Sequence, residues 1–325
     1  MTINVAEVKR RLQVLLHDDN LVNLYIRQFG PSLDIKNIKK VKEQQEQVSY
    51  TGEGTGGDDP VFEQKLSCPV CNQPEIVCYQ LRAKSQQVTQ NKFLVPIYEG
   101  AAGYRTVDYT ILAVTVCPRC LFASPDRKDF NRPASANIPE SKSQLMSNVI
   151  ISLQEKIGER KAIAQTVSNP EEFFKRPRIA EAGVISYRLA MARASVEAWF
   201  ELPYSYYKMG AYALKIAGIL KACDNDNTLI LREALGFIEE SFKNSECNSE
   251  EIELQVIYTI VALHIKFGEL KKAQSYMGVY SNLKNARKAE MAKDPRLNTN
   301  LIDRWEDKVK RLWEDREYED LFAGE

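Results

Sequence analysis

Two short cysteine motifs, Cys68-Pro69-Val70-Cys71 and Cys117-Pro118-Arg119-Cys120, decide the fold of the segment that contains them. In each motif two thiols are separated by two residues, and a proline follows the first thiol. A tight turn with this spacing presents both sulfurs to one metal ion, and two such turns complete a tetrahedral shell. We therefore predict one metal site whose ligands are Cys68, Cys71, Cys117 and Cys120.

The predicted metal is Zn²⁺, because four thiolates favour it, with iron as the second candidate. A redox disulfide pair and a coincidence of spacing are the remaining alternatives. Four cysteines close the shell, whereas catalytic zinc needs an open position, so the predicted role is structural. Cys78 lies among apolar neighbours in an alternating segment and is assigned to the core, with a spare ligand or a reactive thiol as alternatives.

The composition is that of an ordinary soluble protein: of 325 residues, 44% are hydrophobic and 27% are charged. Lys plus Arg equals Asp plus Glu at 44 each, so no global field draws the chain to nucleic acid or to an anionic membrane. The N-terminus lacks the apolar run of a signal peptide, and no stretch approaches the roughly 20 apolar residues of a membrane span. We expect a cytoplasmic protein, in which the seven cysteines favour metal binding over disulfides.

The apolar pattern divides the chain into five regions. These are an N-terminal helical element (1–35), a polar flexible linker (36–60), a zinc-binding β module (61–131), a helical-hairpin domain (142–297) and a C-terminal amphipathic helix (298–325). The linker is glycine-rich over residues 51–59, but it lacks the Gly-Lys-Ser or Gly-Lys-Thr ending of a phosphate-binding loop. We interpret it as a flexible connection.

The predicted fold class is α+β, mostly α, with a small zinc-ribbon-like β module followed by an α-helical tetratricopeptide-like array. Residues 76–79 and 107–116 are predicted strands, and residues 86–105 are a predicted variable surface loop. Beyond residue 142 the apolar spacing is helical, as in the stripe of Ile185, Leu189, Ala192, Val196 and Trp199.

One turn supports the comparison with tetratricopeptide repeats. In the stretch 262–273, Gly268 is expected to end one helix, and Ala273 is expected to pack closely in the next.

The tail helix carries Leu301, Trp305, Val309 and Leu312 at helical spacing. It either packs on the helix that contains Met277 and Tyr280, and so caps the array, or docks on another protein. Capping is favoured because an uncapped stack would expose an apolar face to water.

The cysteine motifs also carry a family resemblance, together with the segments Leu81-Arg82-Ala83-Lys84-Ser85, Thr115-Val116 and Asp129-Phe130. In this order they resemble an uncharacterised bacterial domain family of unknown function that places two Cys-Pro-x-Cys knuckles before a tetratricopeptide-like helical region. The resemblance implies the architecture and supplies no activity. Family members tend to have glycine after each cysteine pair, where this chain has Asn72 and Leu121. Because leucine tolerates a left-handed turn poorly, we expect the second knuckle to be shaped differently.

Other chemistry has weak support. Only His17 and His264 are present, which argues against most histidine-dependent catalysis, and His264 is expected in the core or a groove. Nucleic-acid binding would rest on two basic groups: Arg119, Arg127, Lys128 and Arg132 near the second knuckle, and Lys284, Arg287, Lys288, Lys293 and Arg296 on the helices.

The predicted function is therefore a non-enzymatic cytoplasmic adaptor or scaffold that binds a protein partner through its helical array. A nucleic-acid-associated zinc protein is the alternative, and an enzyme with a carboxylate or cysteine centre ranks third.

Overall fold

A computed structural model describes residues 51–130, 145–244, 249–294, 296–318 and 321–322. It confirms an α+β fold that is mostly α, with small antiparallel hairpins followed by a helical array. The expected helical element at 1–35, the linker residues 36–50 and His17 lie outside the described residues.

The described residues of the β module, up to residue 130, contain three antiparallel pairs of strands. They are β1 (Val61–Leu66) with β2 (Ile76–Leu81), β3 (Gln86–Gln90) with β4 (Pro96–Gly100), and β5 (Thr115–Val116) with β6 (Ala123–Ser124). Leu66 pairs with Ile76, and Val116 pairs with Ala123. Each cysteine motif is therefore the connection of a β-hairpin, and strand pairing fixes both ends of each knuckle.

The predicted strand at 107–116 is only partly correct. Val107 forms a single bridge with Glu53, helix α1 (Tyr109–Leu112) follows, and only Thr115–Val116 is a strand. The reason is Asp108, whose side chain accepts a hydrogen bond from the Thr110 backbone N–H at 3.0 Å and caps the helix.

The expected surface loop at 86–105 is instead the β3–β4 hairpin, and its tip enters the core. Asn91 organises the tip, since its Oδ1 accepts hydrogen bonds from the backbone N–H groups of Phe93 at 3.0 Å and Val95 at 2.8 Å. Phe93 and Val95 are buried in the same core cluster as the helices. Phe93 also stacks on Phe322, with ring centroids 5.3 Å apart. The polar composition of the hairpin concealed these two anchors.

The glycine-rich segment 51–59 was expected to be flexible, but it is hydrogen-bonded along residues 103–108. The N–H of Gly54 donates to the Thr106 carbonyl at 2.8 Å, and the N–H of Asp108 donates to the Gly52 carbonyl at 2.7 Å. A Cβ atom on Gly57 would lie 2.6 Å from the Gly103 carbonyl oxygen. Glycine is required here for close approach of two backbones rather than for flexibility.

The described residues after the module contain nine further α-helices, which form the array. They are α2 (Ser147–Glu155), α3 (Ile157–Ile163), α4 (Pro170–Phe173), α5 (Ala180–Trp199), α6 (Ser205–Ala222), α7 (Thr228–Lys243), α8 (Glu250–Lys266), α9 (Leu270–Met291) and α10 (Asn300–Glu314) in the described part of the chain. Short connections make consecutive helices from α5 onward packing neighbours. Gly268, with a φ of 71°, ends α8 as expected, and Ala273 is fully buried in α9.

The last helix, α10, packs against both α8 and α9. Its buried face consists of Ile302, Trp305, Val309 and Leu312, whereas Leu301 is only partly buried. Trp305 meets Tyr258 of α8 with ring centroids 5.5 Å apart. None of the helices that the structure describes is long and apolar enough to cross a membrane.

Candidate metal centre

The two knuckles have the same backbone geometry. The N–H of Cys68 donates to the Gln73 carbonyl at 2.9 Å, and the N–H of Cys117 donates to the Phe122 carbonyl at 2.8 Å. In the return direction, Asn72 donates to the Cys68 carbonyl at 3.0 Å, and Leu121 donates to the Cys117 carbonyl at 2.9 Å. Each turn is thus closed by an equivalent pair of bonds.

The expectation of a differently shaped second knuckle is wrong. Asn72 has a φ of 59° and Leu121 a φ of 58°, so both are left-handed. This conformation costs a non-glycine residue roughly 1–2 kcal/mol. Leu121 offsets that cost by burial, because its side chain is 4% exposed and lies in the core shared with the helices.

The four predicted ligands come together as one cluster. Their Sγ atoms all lie within 4.8 Å of one another, and two pairs join the knuckles at 3.5 Å: Cys68 with Cys120, and Cys71 with Cys117. Metal–sulfur bonds of about 2.3 Å in a tetrahedron place sulfurs about 3.8 Å apart. Cys68, Cys117 and Cys120 are buried, and Cys71 is partly exposed. The four sulfurs therefore fit a closed four-coordinate metal shell.

The cluster requires a cation to carry four thiolates. Hydrogen bonds to Cys117 and Cys120, followed by burial, raise the pKa of Cys68, and the hydrogen bond to Cys120 raises the pKa of Cys117. Hydrogen bonds from Cys117 and Cys68 lower the pKa of Cys120. A bound cation would stabilise the thiolate form of all four cysteines, because its positive charge compensates theirs in a buried site.

An apolar shell packs around the cluster, and both the module and the helices contribute to it. Val70, Phe122 and Phe130 of the module pack with Leu153 of α2 and Val196 of α5. Gln154 of α2 also donates from Nε2 to the Val70 carbonyl at 2.6 Å. The candidate metal centre therefore lies at the contact between the β module and the helical array.

Two fully buried arginines tie the module to the helices elsewhere. Arg178 donates to the carbonyls of Val114 at 2.8 Å and Phe174 at 2.7 Å. Burial lowers the pKa of Arg178 to about 10. Nothing in the sequence pattern singled out this residue.

Arg193 of α5 forms ion pairs with Asp129 and Glu197 and donates to Ser124 Oγ at 2.7 Å. Burial by itself lowers the pKa of Arg193, but Glu197 and Asp129 raise it overall. The one available signal was a charged residue inside the apolar run Ala192-Arg193-Ala194.

The remaining candidates are not part of the centre. Cys78 is buried in β2, where its sulfur accepts a hydrogen bond from Gln80 Nε2 at 3.2 Å. His264 is fully buried between Glu269 (Nδ1 to Oε2, 3.0 Å) and Glu239 (Nε2 to Oε1, 3.1 Å). In the part of the chain that the structure describes, the four cysteines are the only group of three or more His, Cys, Asp or Glu side chains close enough to hold a metal.

Comparison with known proteins supports the family resemblance that the cysteine motifs carry. A family model described as an uncharacterised protein conserved in bacteria (DUF2225) matches residues 61–302. The match begins at the first residue of β1 and ends inside α10, so it spans both knuckles and most of the helical array. Searches of the curated proteins and of the solved structures found no match. With most of its length matched, including all four clustered cysteines, the chain belongs to this bacterial family.

Proposed function

We propose that this protein is a zinc-stabilised, non-enzymatic cytoplasmic adaptor that binds a protein partner through its helical array. The observation that carries the proposal is the cluster of four sulfurs, which lies where the β module contacts the helical array. A closed shell leaves no position for a substrate, so the metal serves the fold. Four thiolates select zinc ahead of other common divalent ions, with iron as the competitor.

The partner surface that we propose is centred on Trp199 at the end of α5. Trp199 was expected in the apolar stripe of this helix, but it is 66% exposed. Its neighbour Phe200 packs against the core of the metal centre. Lys156 Nζ lies 6.0 Å from the centroid of the Trp199 ring. Tryptophan is enriched among the residues that dominate binding energy at protein interfaces.

The alternative of nucleic-acid binding loses support from the helical basic group. Lys284 pairs with Asp303 at 2.6 Å and with Glu306 at 3.1 Å, and Arg287 pairs with Glu250 at 2.6 Å. Arg296 pairs with Asp294 at 2.9 Å. Because carboxylates already neutralise these cations, they offer little net charge to a phosphate backbone.

Substitution of Trp199 tests the proposal. The protein and its Trp199→Ala variant would be used to capture partners from the cytoplasm of the native cell, with Tyr318→Ala as the matched control because Tyr318 is also 66% exposed. The proposal predicts a partner captured by the wild type and by Tyr318→Ala but not by Trp199→Ala. Equal capture by all three would contradict the assigned surface. Binding to short single-stranded DNA or RNA that weakens steeply with salt would favour the alternative.

A further inference from the structure

Arg160 of α3 reaches from the helical array to the metal centre. Its side chain is among the largest fully buried ones and is 2% exposed. Nε donates to the Cys120 carbonyl at 2.9 Å, and Nη1 lies 3.5 Å from the Lys156 carbonyl. Nη2 is buried without a hydrogen-bond partner among the described residues. A guanidinium in this position needs compensating negative charge, since burying an unpaired cation is costly.

The cysteine cluster is placed to supply that charge, because the guanidinium donates to the backbone carbonyl of Cys120, one of the four clustered cysteines. Four thiolates around a divalent ion leave two negative charges in excess, which one buried guanidinium halves.

We propose that Arg160 is the outer-sphere counter-ion of the metal centre, and that its positive charge strengthens the binding of a divalent ion by the four cysteines. The side chain belongs to α3, so the same contact joins metal loading to the helical array. Outer-sphere partners of this kind change metal affinity by about 10- to 100-fold. The inference rests on the metal centre and is independent of the proposed partner surface.

Two substitutions separate charge from hydrogen bonding. Arg160→Lys keeps the charge and loses the planar fork, whereas Arg160→Gln keeps an N–H donor for the Cys120 carbonyl and loses the charge. Lys161→Met is the matched control, because Lys161 is the next residue of the same helix and is exposed. Zinc affinity would be measured by competition with a chromophoric chelator under reducing conditions. Because metal binding and folding are coupled, a variant that folds less well also shows a weaker measured zinc affinity.

A charge role predicts about 10- to 100-fold weaker zinc binding in Arg160→Gln, a smaller loss in Arg160→Lys and no change in Lys161→Met. Loading with Co²⁺ gives a second readout. The thiolate-to-Co²⁺ charge-transfer bands should move to lower energy in Arg160→Gln but not in Arg160→Lys, because a nearby cation stabilises the thiolate electrons.

The proposal is overturned if Arg160→Gln binds zinc as tightly as Arg160→Lys or more tightly, or if its Co²⁺ bands stay at the wild-type energy. A wild-type protein that binds no zinc would overturn the metal centre as well. Either result leaves partner capture through Trp199 to be judged by its own experiment.

Discussion

Leu121 and Asn72 occupy the same left-handed position after their cysteine pairs, one buried and the other exposed. Glycine at either site would remove the backbone strain, but at Leu121 it would also remove a buried side chain. We predict that Leu121→Gly lowers the free energy of unfolding by about 1 to 3 kcal/mol, whereas Asn72→Gly changes it by less than about 1 kcal/mol. Denaturant unfolding of the zinc-loaded proteins measures both. Stabilisation by Leu121→Gly would show that its side chain contributes nothing to the shared core.

The hairpin tip supplies a second test. Phe93→Ala should lower the free energy of unfolding by about 3 to 5 kcal/mol, because Phe93 is buried in the core of the helical array. Val88→Ala in the same hairpin is the control, since Val88 is exposed and should cost less than about 0.5 kcal/mol. If both substitutions lowered the free energy of unfolding by similarly small amounts, the segment would be a surface loop, as its sequence predicted.

The buried charges around Arg193 predict that its substitution destabilises the protein far more than substitution of the exposed Arg304. Arg193→Met should destabilise the protein by about 3 to 5 kcal/mol, because Asp129 and Glu197 would remain buried without their cation. Arg304→Met is the control: its pairing with Glu251 is exposed, and its loss should cost at most about 1 kcal/mol. Thermal and denaturant unfolding give both values, and equal losses would refute the role assigned to the network.

Glu269 predicts a dependence of stability on acid pH. Burial opposes ionisation, but hydrogen bonds from Lys272 and Arg232 lower the pKa of Glu269 to about 2, from 4.5 in the unfolded chain. A depressed folded-state pKa stabilises the protein above the unfolded value, and the contribution is lost as pH falls toward the folded value. The stability difference between the wild type and Glu269→Gln should therefore shrink as pH falls below about 4.5.

A difference that stays constant down to pH 3 would contradict the predicted shift.

The clustering of the four cysteines was predictable, because the two-residue spacing of each Cys-x-x-Cys motif is typical of a tight turn that presents both sulfurs to one site. The long helices were predictable for the same reason, since an apolar period of about 3.6 residues is visible in the chain. The contacts between module and helices were not. Phe93 lies in a polar segment, and the Val114 carbonyl that accepts from Arg178 is distant in sequence. The glycines at 51–59 are compatible with a flexible linker or with a close approach of two backbones. These possibilities are distinguished only by the backbone that packs against the segment.

The exposed position of Trp199 has a similar explanation. Its spacing places Trp199 on the apolar stripe of α5, but the helix ends at this residue. The residues that pack against the buried cluster are Phe200 and Leu202, which follow it. The apolar spacing predicts which residues share one face of a helix. It does not predict how far along the helix another element covers that face.

The most direct test of the central claim is native mass spectrometry of the full chain purified under reducing conditions, supported by elemental analysis. We predict one zinc ion per 37.1 kDa chain, and loss of that ion in Cys71→Ser and Cys117→Ser but not in Cys78→Ser. A metal-free protein with native helix content, or one iron in place of zinc, would contradict the account.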